Sequence, residues 1–223
     1  MSIPLAERIR PRSLNDYISQ KHLIGKNGAI KSQLDSQMLS SMIFWGPPGT
    51  GKTTLATILA EESKRPFYML SAIDSGVAAI REVIEKAKKS DSLFSTKNPI
   101  LFIDEIHRFS KSQQDSLLKA VEKGWITLFG ATTENPSFEV IPALLSRCQV
   151  YVLESFNKTD LEALLKRAID KDEYLSKKKI TLKETEAILR LSGGDARKLL
   201  NILELVVLSE NSDAVTITNG MVL

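Results

Sequence analysis

Eight consecutive residues, GPPGTGKT at positions 46–53, have the types and spacing of a loop that binds phosphate. They fit the pattern G-x-x-x-x-G-K-[ST], in which backbone N–H groups surround the phosphates of a nucleoside triphosphate. Glycine is needed where the backbone approaches phosphate oxygens with positive φ, and the following helix presents its positive end. The residues predicted to bind nucleotide are Gly46, Pro47, Pro48, Gly49, Thr50, Gly51, Lys52 and Thr53.

Two side chains of this loop have distinct predicted tasks. Lys52 is expected to contact the β- and γ-phosphates, and Thr53 to offer its hydroxyl to Mg²⁺. An incidental Gly/Pro turn is the alternative interpretation. The loop follows the apolar run MIFW at 42–45 and opens a segment with helical spacing, which is the context that a phosphate-binding loop requires.

A second acidic site is predicted in the stretch ILFIDEIH at 100–107. Asp104, at the end of the apolar run, is placed to hold Mg²⁺ through its water shell, and Glu105 is the candidate to polarise an attacking water. An apolar run that ends in Asp-Glu is, by itself, equally consistent with an ordinary strand end. The upstream loop favours the catalytic interpretation. His107 is predicted to be a packed or solvated residue and not a catalyst.

The elements that must position these residues alternate between strands and helices. Short apolar runs have the length of strands, and their near-continuous hydrophobicity is typical of strands covered on both faces. Segments with helical spacing lie between them, and Ser110 with Gln113 predicts a capping box at the start of one helix. The pattern predicts a five-stranded parallel sheet with helices on both faces. The predicted strands are 42–45, 67–70, 100–103, 126–132 and 150–153.

After Leu153 the pattern changes to helices only. Thr159 with Glu162 and Thr181 with Glu184 each predict a capping box, Gly193 and Gly194 are expected to end one helix, and Asp195 to cap the next. We therefore predict an α/β core over residues 1–155 and a small all-helical lid over 156–223. The final segment, VTITNGMVL, begins an element that it does not complete, so the lid is expected to be truncated at its C-terminus.

Composition excludes several classes of protein. With 30 Lys and Arg against 27 Asp and Glu, the formal net charge is only +3, which neither requires nor excludes a nucleic-acid partner. The single cysteine, Cys148, cannot form an internal disulfide, and with two histidines it is too little for a zinc-finger cage. No window has the roughly 18 apolar residues of a membrane span. These features predict a cytoplasmic protein, nucleoid-associated if it is bacterial, without a membrane partner.

Four long stretches carry a resemblance to a known family. They are PLAERIRPRSLNDYISQKHLIG, FWGPPGTGKTTLA, the run from DEIHRF to LLSRC, and LSGGDARKLLN. Together they resemble the AAA+ ATPases, which are P-loop NTPases with Walker A and Walker B motifs. More narrowly, they resemble the replication-associated recombination protein A family, whose eukaryotic relatives include the Werner-helicase-interacting ATPase. The resemblance implies that ATP and Mg²⁺ are the ligands.

The resemblance also implies roles for residues that spacing alone does not single out. Thr133 matches the sensor-1 residue, which could share a water with Glu105, and Asn135 is a weaker candidate. Arg147 in LLSRC matches the arginine finger that is inserted into a neighbouring subunit's site. Arg197 in GGDAR matches sensor 2. Without the family, these are a strand-ending threonine, a surface arginine and a first-turn arginine paired with an acid. Leu5 and Ile18 are expected to flank the adenine.

The implied function is DNA-dependent ATP hydrolysis for replication-fork maintenance, recombination and repair. The implied partners are DNA at single-strand gaps, ends and forks, single-strand-binding protein, and further copies in a homo-oligomer. Full-length relatives have a C-terminal oligomerisation region to which nothing here corresponds. The segment from Ile73 to Lys89 is the best candidate to line a DNA channel. A clamp-loader subunit that acts on a sliding clamp, and a nucleotide-bound scaffold without enzymatic activity, stay open as alternatives.

Overall fold

A computed structural model of the chain describes residues 3–73, 76–90, 98–210 and 212–223. The chain divides into two units. The α/β unit comprises Gln20–Gly46 and Lys52–Leu153, and the terminal unit comprises the described residues of Met1–Ser19, Pro47–Gly51 and Glu154–Leu223. Among the described residues, no helix combines the length and apolar character needed to cross a membrane.

The elements follow one another from the first helix to the last. The α-helices are α1 (Leu5–Arg8), α2 (Lys21–Ile24), α3 (Ala29–Asp35), α4 (Lys52–Glu62), α5 (Val77–Ser90), α6 (Lys111–Glu122), α7 (Pro136–Glu139), α8 (Pro142–Leu145), α9 (Lys158–Lys171), α10 (Glu186–Ser192), α11 (Ala196–Ser209) and α12 (Asn219–Val222). The strands are β1 (Met42–Trp45), β2 (Phe67–Ser71), β3 (Ile100–Asp104), β4 (Thr127–Thr132), β5 (Gln149–Val152), β6 (Lys179–Leu182) and β7 (Ala214–Ile217). Short 3₁₀ helices cover Leu14–Asp16, Ile106–Arg108 and Leu175–Lys177.

The sheet of the α/β unit has five parallel strands in the order β2-β3-β4-β1-β5, which confirms the predicted fold class. Its central strands are apolar because helices cover both faces. Phe44 and Phe129 are fully buried, and their rings meet edge to face with centroids 5.7 Å apart. In the register, Trp45 is opposite Thr132 and Ser71 is opposite Asp104. Because parallel strands end at one edge, this edge collects the polar residues that follow β3 and β4.

Helix α6 begins at the predicted capping box. The N–H of Ser110 donates to Gln113 Oε1 at 2.9 Å, and the N–H of Gln113 donates to Ser110 Oγ at 3.4 Å. Each side chain therefore satisfies a backbone donor that the first turn of a helix leaves unpaired. The result is a fixed start for the helix that follows the Asp-Glu stretch.

The terminal unit differs from the all-helical prediction, because β6 and β7 form a two-stranded parallel sheet. Thr181 lies within β6 and does not cap a helix, so that capping box was wrong. The strands were missed because each has only four residues, of which two point inward, Ile180 and Leu182 in β6 and Val215 and Ile217 in β7. The helix predicted at Thr159 exists, but Asn157 is its cap and accepts from the N–H of Asp160 at 2.9 Å.

The other predicted helix boundaries in this unit are confirmed. Helix α10 ends before Gly193, which has φ of 59°, and Asp195 caps α11 by accepting from the N–H of Lys198 at 3.0 Å. The boundary predicted between residues 155 and 156 stays a prediction. The first 19 residues, which we assigned to the core, belong to the terminal unit.

Helix α1 explains that placement, because its side chains complete the core of the terminal unit. Leu5 is fully buried and Ile9 is buried among the leucines of α9 and α11. The placement contradicts the expectation that Leu5 flanks adenine, since a fully buried side chain has no surface to offer a ligand. Ile18 is partly buried and packs against the same core.

Arg8 of α1 joins two acidic side chains of this unit. Its Nε donates to Asp172 Oδ2 at 2.6 Å and its Nη1 donates to Glu204 Oε1 at 2.7 Å. Burial opposes the charge of Asp172. The hydrogen bonds from Arg8 and from the N–H groups of Leu175 and Tyr174 outweigh that effect, so the pKa of Asp172 is lowered. Arg8 Nη2 also donates to Asp172 Oδ1 at 3.1 Å, so a bidentate pair fixes α1 to the residue that ends α9.

We expect Asp172→Asn to lower the free energy of unfolding by about 3 kcal/mol, the lower end of the cost of breaking a buried pair, because Arg8 keeps Glu204. A lowered folded-state pKa stabilises the fold above the usual carboxyl pKa, and this contribution is lost as the pH falls through the folded-state value. The difference between variant and wild type should therefore shrink in acid. Urea denaturation across pH measures it, with the exposed Asp170→Asn as the matched control. Equal destabilisation by both variants would contradict the assignment.

Candidate nucleotide site

Three residues of the loop 46–53 belong to the α/β unit. The N–H of Gly46 donates to the carbonyl oxygen of Thr132 at 3.2 Å, which ties the loop to the end of β4. Lys52 is buried, and its Nζ donates to the carbonyl oxygen of Gly46 at 2.7 Å. A Cβ atom on Gly46 would lie 2.1 Å from the carbonyl oxygen of Leu153, so no other residue fits. Thr53 is half-buried in the first turn of α4, and the N-terminus of a helix favours anions.

The segment Pro47–Gly51 belongs to the terminal unit. Gly49 and Gly51 have φ of 70° and 94°, the left-handed region that glycine adopts without strain. Thr50 donates from Oγ1 to the carbonyl oxygen of Pro47 at 2.9 Å. The carbonyl oxygen of Gly49 accepts from the N–H of Ala196 at 3.3 Å. Gly49 and Gly51 therefore have the positive φ that was expected of them, and bonds within the chain hold this segment.

Tyr17 also contacts this segment, and sequence reasoning missed it. Its hydroxyl donates to the carbonyl oxygen of Thr50 at 3.2 Å, and a Cβ atom on Gly51 would lie 2.2 Å from that hydroxyl. Burial raises the pKa of Tyr17, so the hydroxyl stays protonated and remains a donor. No sequence signal separates Tyr17 from an ordinary core tyrosine, because its hydroxyl bonds to backbone 33 residues away.

We expect Tyr17→Phe to weaken ATP binding about 2- to 10-fold, because the loop loses one hydrogen bond worth roughly 0.5–1.5 kcal/mol that holds its binding conformation. Titration with a fluorescent ATP analogue measures the affinity. The exposed Tyr174→Phe removes the same hydroxyl away from the loop and should bind as wild type does. Wild-type affinity in the Tyr17 variant would show that the bond does not support the loop.

The acidic residues lie where β3 ends. Asp104 is its last residue and half-buried, and its side chain makes no hydrogen bond to the residues that the structure describes. Glu105 has φ of 54° and ψ of 48°, a left-handed conformation that is rare for a non-glycine residue and is found at functional sites. Thr133 Oγ1 donates to Glu105 Oε2 at 3.4 Å. The structure thus brings together two residues that sequence reasoning placed in one site.

His107 is packed, as expected, and it also contacts Glu105, which the sequence did not predict. Its Nε2 lies 3.3 Å from Glu105 Oε2, and its Nδ1 lies 2.9 Å from Thr132 Oγ1. The spacing Glu-x-His after a strand was visible in the sequence, but the turn that folds the ring back over Glu105 was not. Asn135 is outside this cluster, because its side chain caps α7 by accepting from the N–H of Ser137 at 3.0 Å.

Arg147 follows α8 and is exposed. Its Nη2 lies 2.5 Å from Glu122 Oε1, and its Nη1 donates to the carbonyl oxygen of Ala143 at 2.8 Å. It makes no contact with Glu105 or Asp104 in the part of the chain that is described. Because Arg147 is exposed, its side chain is accessible to another chain.

Gln114 of α6 fixes the segment that carries Arg147. It is buried, and its amide nitrogen donates to the carbonyl oxygens of Phe109 at 3.1 Å and Glu139 at 3.0 Å. Its Oε1 accepts from the N–H of Ile141 at 2.8 Å. All of these bonds go to backbone groups. The amide therefore holds Glu139, at the end of α7, and Ile141, just before α8.

Arg197 is the second residue of α11 and is exposed. It makes no hydrogen bond or ion pair with the described residues. The alternative from sequence, an arginine paired with a nearby acid, therefore has no support here. Asp195, which caps the same helix, lies against Gly49, where a Cβ atom would be 1.8 Å from its Oδ1. The helix that carries Arg197 thus begins next to the loop segment of its own unit.

The donor set fits a magnesium–nucleotide complex better than a metal held by protein alone. No cluster of three or more His, Cys, Asp or Glu side chains that could hold a metal is found in the described residues. Mg²⁺ is commonly bound by one or two protein ligands with phosphate oxygens and water completing its shell. Thr53 and Asp104 stay the residues predicted to hold it.

Comparison with known proteins agrees with this geometry. Residues 42–155 match the family described as "ATPase family associated with various cellular activities (AAA)". The chain is 46% identical over 207 residues to the replication-associated recombination protein A of Haemophilus influenzae, covering 92% of this chain and 46% of that protein. It is also 46% identical over 206 residues to the ATPase WRNIP1 of Dictyostelium discoideum, covering 92% of this chain and 23% of that protein.

A solved structure shows the same fold. The Thermotoga maritima RuvB Holliday junction branch migration motor matches with a TM-score of 0.76 and 28% identity, covering 96% of this chain and 70% of that one. The chain spans about half the length of the recombination protein A that it matches, at 46%. From the phosphate-binding loop, the Asp-Glu pair at the end of β3 and these matches, the chain belongs to the AAA ATPase family.

Proposed function

We propose that this chain binds ATP with Mg²⁺ on the loop 46–53 and hydrolyses it. The observation that carries the proposal is the set of groups in the α/β unit: Lys52 beside Gly46 at the start of α4, Asp104 at the end of β3, and Glu105 in contact with Thr133. When bound, Mg²⁺ neutralises charge on the phosphates. Lys52 binds the β- and γ-phosphates, and Glu105 accepts a proton from the attacking water.

Thr133 supports that role, because its hydroxyl is within 3.4 Å of Glu105 Oε2 and could share the same water. Arg197 is proposed to contact the phosphates held by Pro47–Gly51, since α11 begins next to that segment. Arg197 and Arg147 are both exposed. Arg147 is proposed to act on ATP bound by a neighbouring copy, where a planar guanidinium stabilises charge on the transferred phosphoryl group. The active form is therefore a homo-oligomer.

For the whole protein we propose a DNA-dependent ATPase that maintains replication forks and supports recombination and repair, in the cytoplasm. The support is the 46% identity to a replication-associated recombination protein A. The segment 73–89 is the proposed DNA-facing element, and its residues 74 and 75 lie outside the described residues. Single-strand-binding protein is the proposed partner. Of the basic run 177–179, Lys178 is used in the fold, where its Nζ donates to the carbonyl oxygens of Glu210 at 2.9 Å and Ser212 at 3.2 Å.

The test is ATP turnover against protein concentration, without DNA and with gapped, forked and blunt duplex DNA. We expect specific activity to rise with concentration, because a neighbour completes each site, and to rise again with DNA. Turnover that changes neither with protein concentration nor with DNA would contradict the proposal. Stimulation by a sliding clamp with primed DNA, but not by DNA ends, would indicate a clamp-loader subunit. ATP binding without turnover under every condition would indicate a scaffold.

A further inference from the structure

His107 lies between two residues of the α/β unit that β4 and β3 position. Its Nδ1 is 2.9 Å from Thr132 Oγ1, and its Nε2 is 3.3 Å from Glu105 Oε2. The side chain is only 12% exposed, and Thr132 is fully buried. The ring therefore has two polar neighbours on opposite nitrogens and little contact with solvent.

The direction in which the Thr132 hydroxyl donates its proton determines the tautomer of the His107 ring. Its hydroxyl accepts from the N–H of Glu134 at 3.0 Å and has two neighbours that could take its one proton: the carbonyl oxygen of Glu134 at 3.1 Å and His107 Nδ1 at 2.9 Å. If Thr132 donates to His107, the neutral ring carries its proton on Nε2. If it donates to Glu134, Nδ1 carries a proton, and a neutral ring would face the carboxylate with a bare Nε2.

The second arrangement places two acceptors 3.3 Å apart unless the ring is doubly protonated. Both favourable arrangements therefore put an N–H on the Nε2 that faces Glu105. Thr133 Oγ1 donates to the same carboxylate oxygen, Oε2, at 3.4 Å. The other oxygen, Oε1, makes no hydrogen bond to the described residues. The two donors occupy one side of the carboxylate and leave Oε1 available for water.

We propose that His107 is a positioning residue: held by Thr132, it orients the carboxylate of Glu105 so that Oε1 faces the attacking water. The inference rests on the proposed ATPase activity and extends it to a chain of three side chains, Thr132, His107 and Glu105. His107 acts only through Glu105 and does not touch the nucleotide. Displacing a general base by about 1 Å can cost on the order of 100-fold in rate, so the orientation matters for turnover.

Two isosteric variants separate the contacts of the ring. Gln places a donor near the position of Nε2 and loses the contact to Thr132, whereas Asn keeps a polar atom near Nδ1 and loses the contact to Glu105. We expect His107→Asn to lower kcat about 10- to 100-fold with KM and ATP affinity within about twofold of wild type, and His107→Gln to recover part of the loss. Wild-type or faster turnover by His107→Asn would overturn the proposal, as would equal loss in both variants.

A double-mutant cycle tests the chain itself. Thr132→Val should lower kcat and Thr132→Ser should restore it, whereas in the His107→Asn background Thr132→Val should have no further effect on kcat. Additive losses would show that Thr132 and His107 act separately. Because Thr132→Val also removes the hydroxyl that accepts from the N–H of Glu134, its folding is checked by thermal denaturation. If the valine variant does not fold, the two His107 variants and the tautomer of His107 in the wild type carry the test.

Side-chain nitrogen NMR gives a readout that needs no turnover. The protein has two histidines, His22 and His107, so a His22→Gln variant assigns both signals. At alkaline pH we expect His107 in the Nε2–H form, shifting toward a mixture in Thr132→Val. An Nδ1–H form in the wild type would overturn the inference even if the protein hydrolyses ATP. A wild type that shows the expected form but has no turnover would instead contradict the proposed function.

Discussion

Protein that carries Arg147→Ala is expected to bind ATP with wild-type affinity and to lose turnover by about 10³-fold, the lower end of what an arginine finger contributes. The reason is that Arg147 is exposed and contacts Glu122 and Ala143 of its own chain. Within the described part of the chain it makes no hydrogen bond or ion pair with Asp104 or Glu105. Its removal should leave each site able to bind. Single-turnover ATP hydrolysis and nucleotide titration measure the two effects separately.

Two controls sharpen that result. Arg147→Lys keeps the charge but loses the planar fork, so it should stay well below wild type. Arg190→Ala removes an exposed arginine of α10 and should leave turnover unchanged. If dilute Arg147→Ala protein hydrolysed ATP at the wild-type rate, the proposal that Arg147 acts on ATP bound by a neighbouring copy would be wrong.

Mixing two inactive variants tests the sharing directly. A subunit with Arg147→Ala keeps its own Glu105, and a neighbour with Glu105→Gln still offers Arg147. We expect a mixture of the two to recover part of the activity that each lacks alone. Mixtures as inactive as their components would show that both residues must belong to the same chain.

Glu105→Gln is expected to retain ATP binding and to reduce turnover by about 10²- to 10⁴-fold, the usual contribution of a general base. The amide keeps the size of the side chain and its contact with Thr133, but it cannot accept a proton from water. Lys52→Ala should behave differently and weaken binding itself, because Lys52 is the charge expected to contact the phosphates.

The matched control for the glutamate is Glu139→Gln. The side chain of Glu139 is exposed and makes no hydrogen bond to the described residues, and its carbonyl oxygen, which accepts from Gln114, is unchanged in the variant. It should turn over ATP as the wild type does. Equilibrium binding and steady-state turnover of the three variants give the comparison. Normal turnover by Glu105→Gln would remove Glu105 from the catalytic assignment.

The sequence predicted the sheet well because its strands are buried on both faces. Continuous apolar runs such as ILFI are recognisable without any partner, and each of the five observed strands begins and ends within one residue of its prediction. The strands β6 and β7 gave no such signal. Each is four residues long and buries one face, and Thr181 with Glu184 has the same spacing as a helix cap. Only their pairing distinguishes them, and pairing depends on distant sequence.

The candidate site was predicted where residue types are specific and missed where contacts depend on the fold. Loop residues and the Asp-Glu pair have fixed spacing, so position in the sequence was enough. His107 and Tyr17 are ordinary residue types, and their proposed roles depend on a left-handed turn at Glu105 and on a long-range hydrogen bond to Thr50. The roles of Arg147 and Arg197 stay predictions, which the variants above test.

The core of the terminal unit is built from separate stretches of chain. Leu5 and Ile9 near the N-terminus and the leucines of α9 and α11, more than 150 positions later, pack in the same core. An excised peptide of residues 156–223 would lack both side chains and the guanidinium that neutralises Asp172 and Glu204. Such a fragment should be unstable by itself, and trimming the first 19 residues from an expressed protein should loosen a region that begins 135 positions later, at Glu154.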